Sequence, residues 1–171
     1  MFYLTGCIMR IHMEKIHILL SNIRSAHNVG AIFRSADGAG VAKIHLGGYT
    51  PAPIDRYGRV VDEIQKTSLG ATDTVQWEEA TDEKSLIETL KSEGFHIVAV
   101  EQNERAIVYT EHQITKPTLF IFGNEIDGVS NGLISLSDEI IQIPMHGKKE
   151  SLNVSTTAGI VLFNARIKYI S

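Results

Sequence analysis

Strands alternating with helices, several of the strands apolar along their whole length, predict an α/β fold: a mostly parallel sheet with helices on both faces. Two observations carry this expectation. Phe95–Val100 and Thr118–Phe122 are continuous apolar runs, as expected of strands covered on both sides. Between such runs lie stretches in which apolar residues recur at helical spacing and then stop at glycine, as Val29, Ile32, Phe33 and Ala36 do ahead of Gly38 and Gly40.

Taken in order, Ile16 to Leu20 reads as a first buried strand. In SNIRSAHNVGAIFRSADGAGV, Asn28 is placed to cap the helix just described. At about 100° per residue, Arg34 points about 150° from the centre of that helix's apolar face, so it must reach solvent or a cleft. Lys43 to Leu46 reads as a second strand, and GGYTPAPIDRYGR after it as a loop punctuated by glycine and proline. VVDEIQKTSLGA suits a short amphipathic helix, Thr74 to Trp77 a short strand, and Asp82 to Glu93 a helix with Leu86, Ile87 and Leu90 on one side and Gly94 as its stop. After Phe122 comes GNEIDGVS, where an open α/β sheet places its ligand, beyond the carboxyl end of a strand. Gly123 and Gly128 there allow a close backbone approach, Glu125 supplies a carboxylate, and Ser130 is placed to cap the next short helix.

The last stretch, from Ile141 to Ala165, reads as a strand closed by Pro144, a polar loop, and a helix capped by Asn153, with Val154, Ala158, Val161, Leu162 and Ala165 on one face. Ser151, Leu152 and Asn153 bring a hydroxyl, an apolar side chain and an amide to the start of that helix. Such a convergence suits a small polar ligand.

The totals are those of an ordinary globular chain: 171 residues, 43% apolar and 21% charged, with no repeat, low-complexity tract or dividing linker. One domain over 1–171 is expected, with 1–14 as a short N-terminal segment and no separate RNA-binding domain. The single cysteine, Cys7, suits a reducing compartment. Leu4, Thr5, Gly6 and Cys7 look like a lipoprotein cleavage box, but no basic start and apolar run precede them, so a cytoplasmic protein is expected, with Met1, Met9 or Met13 as its start. No window approaches the roughly 18 apolar residues of a membrane span. Seven histidines without HExxH or Cys/His pairing give no reason to expect a metal site. The net charge of −4 is unevenly distributed: residues 1–70 carry 8 Lys+Arg against 5 Asp+Glu, and residues 71–171 carry 8 against 15, mostly between Asp73 and Glu111. A basic face on the first part is therefore open to an anionic partner.

Two motifs fail on context. GVSNG at 128–132 fits a nucleophile elbow, with Asp138 and His146 following in hydrolase order, but the serine does not sit at the strand end and too little chain follows for the usual later strands. A serine hydrolase acting through Ser130 is a remote alternative. GKKES at 147–151 lacks the serine or threonine and the first glycine of a phosphate loop. GxGxxG is absent.

NVGAIFRSADGAGV, LFIFGNEIDGVS and IQIPMHGKKESLNVSTTAGIVLFNA, in that order, resemble the three motifs of the SpoU (TrmH) family of RNA ribose 2′-O-methyltransferases, within the SPOUT class. The similarity runs from about Ile16 to the C-terminus. It implies a C-terminal trefoil knot, which generic topology rules argue against. It also implies S-adenosylmethionine as cofactor, S-adenosylhomocysteine as product, tRNA or rRNA as substrate, and a homodimer with active sites near the subunit interface. The motif residues fall on Asn28, Arg34, Glu125, Ser151 and Asn153 as the catalytic set. Cofactor contacts fall on Val100, Glu101, Gly123, Ile143, Met145, Leu152 and Asn153. The middle segment resembles members with a Pro-rich loop before a Ser/Thr-Leu-Gly-Ala turn, and its Arg56, Arg59 and Lys66, with Arg24, are candidates for touching RNA. The acidic tract is expected to face away from RNA. The alternative of another class is a non-catalytic RNA-binding or assembly factor that keeps the fold.

Overall fold

The computed structural model describes residues 16–168; the expectations for Cys7, Met1, Met9 and Met13 lie outside the described residues. Among these residues seven strands, β1 Ile16–Ser21, β2 Lys43–Gly47, β3 Gln76–Ala80, β4 His96–Val100, β5 Ile107–Val108, β6 Thr118–Phe122 and β7 Glu139–Gln142, form one sheet in the order β3-β2-β1-β6-β4-β7-β5. Every pairing in it is parallel. Among the described residues the helices are α1 Ala26–Ala39, α2 Asp62–Ser68, α3 Ala71–Thr74, α4 Glu83–Ser92, α5 Asn131–Leu136 and α6 Val154–Lys168.

Side chains alternate across the pleat, so neighbouring residues of β1 feed different cores. Ile18 and Leu20 join the core under α1 and α6, with Phe33, Phe120 and Leu162. Leu19 joins the other, with Ile87, Leu90, Ile121 and Leu133 from the α4 and α5 side. The central strand β6 is buried at all five positions, which explains its unbroken apolar run.

Several boundaries differ from expectation for local reasons. Asn28 does not cap α1. Ser25 does, its hydroxyl accepting from the Asn28 N–H at 3.2 Å, and the Asn28 side chain in the first turn is left for partners outside the helix. Gly40, at φ 70°, is the left-handed C-cap of α1, while Gly38 stays helical. The third strand begins at Gln76 rather than Thr74, because Ala71–Thr74 continues as the helical turn α3. Asp82 caps α4, accepting from the N–H groups of Lys84 and Ser85. The two-residue β5 carried no sequence signal. No helix among the described residues is long and apolar enough to cross a membrane.

Candidate functional site: a cleft at the carboxyl edge of the sheet

Because all strands run the same way, the loops after β1, β2, β4, β6 and β7 leave from one edge. Three of them enclose a cleft of about 270 Å³: 100–102 after β4, 122–128 after β6, and 142–154 between β7 and α6. Val100, Glu101, Gly123, Ile143, Met145, Ser151 and Leu152 line it, as does Glu125. Asn28, Arg34 and Asn153 are not among its walls.

Asn28 and Asn153 lie beside the cleft through a relay of hydrogen bonds. The Asn28 amide donates to Glu125 Oε1 at 2.6 Å, and its carbonyl oxygen accepts from Asn153 Nδ2 at 3.2 Å. Asn153 in turn caps α6, its Oδ1 accepting from the Ser155 N–H at 2.9 Å and the Ser155 hydroxyl at 2.6 Å. One residue from each of the three stretches thus enters a single network. Arg34 does not. Six residues beyond Asn28 it sits about 9 Å along α1 and about 120° around it, and it is exposed.

The loop Gly123–Gly128 shows what its glycines do. Both line the cleft and both are packed closely by the fold: a Cβ on Gly123 would lie 2.2 Å from the Gly128 carbonyl carbon, and one on Gly128, at φ 66°, would meet the Glu101 carboxylate at 2.1 Å. Glu101, which lines the cleft, also braces the fold, its carboxylate accepting from the Val129 N–H at 2.7 Å and the Gln102 N–H at 2.9 Å. Gln102 Nε2 donates to the Ile143 carbonyl at 2.8 Å and so ties two walls together.

Asn124 has no place among the expected site residues, yet it organises the edge. It is only 6% exposed, its amide donates to the Asn22 carbonyl at 3.1 Å and to the Tyr49 hydroxyl, and its Oδ1 accepts from the Ile126 N–H at 2.7 Å. The available signal was an asparagine directly after the glycine at a strand end.

Arg24, Arg56, Arg59 and Lys66 are all exposed. Arg56 and Arg59 flank Tyr57, with guanidinium carbons 4.8 and 5.0 Å from the ring centroid. The acidic tract is not wholly segregated, since Glu79 lines a hollow with Arg56 and Tyr57. Among the described residues the hydrolase alternative finds no triad: Ser130 caps α5, while Asp138, at the amino end of β7, binds Lys91 Nζ at 2.7 Å and the Ile97 N–H at 2.8 Å.

The histidines are less scattered than the sequence suggests. At the opposite edge of the sheet, ligating atoms of His96, His112 and Glu139 lie within 4.8 Å of one another. Burial, only partly offset by Glu139, holds the His112 ring below the usual histidine range. Lys168 Nζ, on the His112 carbonyl at 2.6 Å, already places a cation beside the group.

A family model described as the SpoU rRNA Methylase family matches residues 15–163. The tRNA (guanosine(18)-2′-O)-methyltransferase of Thermus thermophilus is 34% identical over 159 residues, covering 93% of this chain and 78% of that protein. The 23S rRNA (guanosine-2′-O-)-methyltransferase RlmB of Vibrio parahaemolyticus is 32% identical, covering 92% and 61%. Among solved structures, the TrmH/SpoU tRNA modifying enzyme of A. aeolicus aligns with a TM-score of 0.81 at 26% identity, over 97% of this chain and 83% of that one. The AdoMet-bound rRNA methyltransferase of Sinorhizobium meliloti gives 0.81 at 27% identity, over 90% and 56%. With the parallel sheet, the carboxyl-edge cleft and a match over nearly its whole length, the chain belongs to the SpoU methylase family.

Proposed function

We propose that this chain transfers a methyl group from S-adenosylmethionine to a ribose 2′-hydroxyl of tRNA or rRNA. The observation that carries the reading is Asn28, bonded at once to Glu125 and Asn153 beside the cleft. The cleft fits the cofactor chemically. Phe122, Ile143, Met145 and Leu152 offer apolar walls to an adenine, and Glu101, Glu125 and Glu150 give the rim a negative character suited to a sulfonium cation. Bound there, the cofactor supplies an electrophilic methyl group.

The residues of the chain then have to hold a ribose oxygen in line with that methyl and manage its proton. Positioning is the larger part of such an acceleration. The Asn28–Glu125–Asn153 relay fixes the side chains at the mouth of the cleft, and the exposed Ser151 hydroxyl on its wall is assigned to orienting the reacting groups. Arg34 is permanently charged and a poor base. Its exposed guanidinium is assigned to the phosphate beside the target ribose and to the negative charge growing on the oxygen. Full turnover and RNA affinity in Arg34→Lys would remove that bidentate role.

The trefoil knot and the homodimer belong to the same proposal. Strand β7 inserted between β4 and β5, followed by α6 returning beside α1, supports the knot. The exposed Phe163 on α6, whose ring lies against Gly38 of α1, supports a dimer through that pair of helices. Light scattering should then give twice the 18.9 kDa chain mass.

The test is methyl transfer from labelled S-adenosylmethionine into total cellular RNA, followed by digestion to nucleosides. Labelled 2′-O-methyl nucleosides are expected. Cofactor binding without transfer to any RNA would instead favour the non-catalytic RNA-binding reading.

A further inference from the structure

We propose that the connection between β2 and α2 carries a nucleobase-binding subsite, in which an unpaired base of the RNA stacks on the ring of Tyr57; this rests on the RNA reading above. The connection leaves the same edge of the sheet as the cleft, because β2 is parallel to β1 and β6. Its base is pinned to the cleft. The Tyr49 hydroxyl accepts from the Asn124 amide, and Thr50 Oγ1 donates to the Leu20 carbonyl at 2.8 Å and accepts from the Ile23 N–H at 3.0 Å.

The tip of the connection is braced as well. The Asp55 carboxylate accepts from the N–H groups of Tyr57 and Arg59 at 2.8 and 2.9 Å, and Ile54 and Val60 pair as an antiparallel bridge. On that braced tip Tyr57 is 66% exposed. A large ring held out by the fold loses little freedom on binding, which is what a stacking platform needs.

The ring's neighbours match a nucleotide rather than a protein surface. Arg59 is fixed against the ring by Asp55, with Nε at 2.9 Å and Nη2 at 2.8 Å from the carboxylate. Arg56 also lies over the ring but has no ion pair among the described residues, so an incoming base takes its place on the ring face and its displaced guanidinium meets the adjoining phosphate, while Arg59 stays in place. Aromatic faces for bases, with cations for the backbone between them, are how proteins hold single-stranded nucleic acid. Beside the ring opens a hollow of about 310 Å³, walled by Pro51, Ala52, Ile54 and Val61 and bordered by Glu79. The Glu79 carboxylate repels a phosphate but accepts from the N–H groups on a base edge. The hollow therefore takes the base, and Arg56 the phosphate beside it.

The test uses a short, fluorescein-labelled single-stranded RNA of mixed sequence, with anisotropy read over a series of salt concentrations. S-adenosylhomocysteine binding, by calorimetry, reports on the cleft separately. Tyr57→Ala should weaken RNA binding by about 5- to 100-fold with an unchanged salt slope, and Tyr57→Trp should restore it. Arg56→Ala should lower the slope by about one contact. All three variants should bind S-adenosylhomocysteine as the native chain does. RNA affinity of Tyr57→Ala within about twofold of native overturns the subsite, on a scale where one stacked base gives at least about fivefold. If the native chain still methylates RNA in that case, the enzymatic reading stands alone. If the native chain neither binds nor methylates RNA, both fall.

Discussion

Asn28 and Glu125 stand 97 positions apart in the chain and 2.6 Å apart in the fold, the Asn28 amide donating to Oε1 of the carboxylate. Asn28 is 8% exposed, whereas Glu125 is exposed, so the bond is shielded on one side only, and hydrogen bonds to a charged group contribute about 1.5–3 kcal/mol. Asn28→Ala should therefore lower methyl transfer about 10- to 100-fold. Asn28→Asp should lower it further, because two carboxylates would face each other. Steady-state transfer assays, with circular dichroism to show that the fold is kept, check the ranking; an Asp variant more active than the Ala variant contradicts it.

Gly123→Ala should weaken cofactor binding by about 5- to 150-fold. The added methyl would meet the backbone of Gly128 and Val129 at 2.2 to 2.3 Å, and backbone cannot swing aside as a side chain can. Overpacking of this kind costs about 1–3 kcal/mol, and here it falls on the loop that forms one wall of the cleft. Calorimetric titration with S-adenosylhomocysteine gives the answer directly.

Asn124→Ala should lower stability by about 1–3 kcal/mol, since the Asn22 carbonyl and the Ile126 N–H would lose a buried partner. Tyr49→Phe, which removes only the hydroxyl on the other arm, should cost about 0.5–1.5 kcal/mol. Urea denaturation of the two variants tests the order.

Acid should destabilise the fold through the buried histidines, chiefly those of β1 and β2. His17 is held down to about 4 from its ordinary 6.5, first by burial and then by the neighbouring His45 and Lys43. Its folded value lies below its unfolded one, so its contribution is complete above about 6.5 and is lost as pH falls toward and through about 4. His45, lowered by burial although Glu78 opposes the shift, acts in the same direction. The thermal midpoint should fall across that window, and His17→Gln should flatten the fall. Parallel curves for the two proteins would place the effect elsewhere.

The parts of this architecture visible in the sequence were those written in a local pattern. The all-apolar Thr118–Phe122 announced a central strand, and the positions Val154, Ala158, Val161, Leu162 and Ala165 announced the buried face of α6. Caps were less legible, because Ser25 and Asn28 are both good cap residues three positions apart and only the packing of α1 decides between them. Strand β5 was invisible because two residues have no period. In the site, the cleft-lining residues followed from family resemblance, whereas Asn124 joins Asn22, Tyr49 and Ile126, a coincidence in space that no spacing encodes. The group of His96, His112 and Glu139 was hidden for the same reason.

The position of β6 also governs the order in which the chain can be completed during synthesis. Strands β1, β2 and β3 pair among themselves, and β4 pairs with β7, but the two groups meet only through Thr118–Phe122. Until that segment emerges from the ribosome, β1 and β4 each present an open, apolar edge of the kind that recruits foreign strands. Newly made chains halted before Thr118 should therefore depend on chaperones, and that dependence should fall in two steps, once β6 has emerged and joins β1 to β4 and again once β7 and α6 have covered the remaining edge of β4 and the core beneath α6.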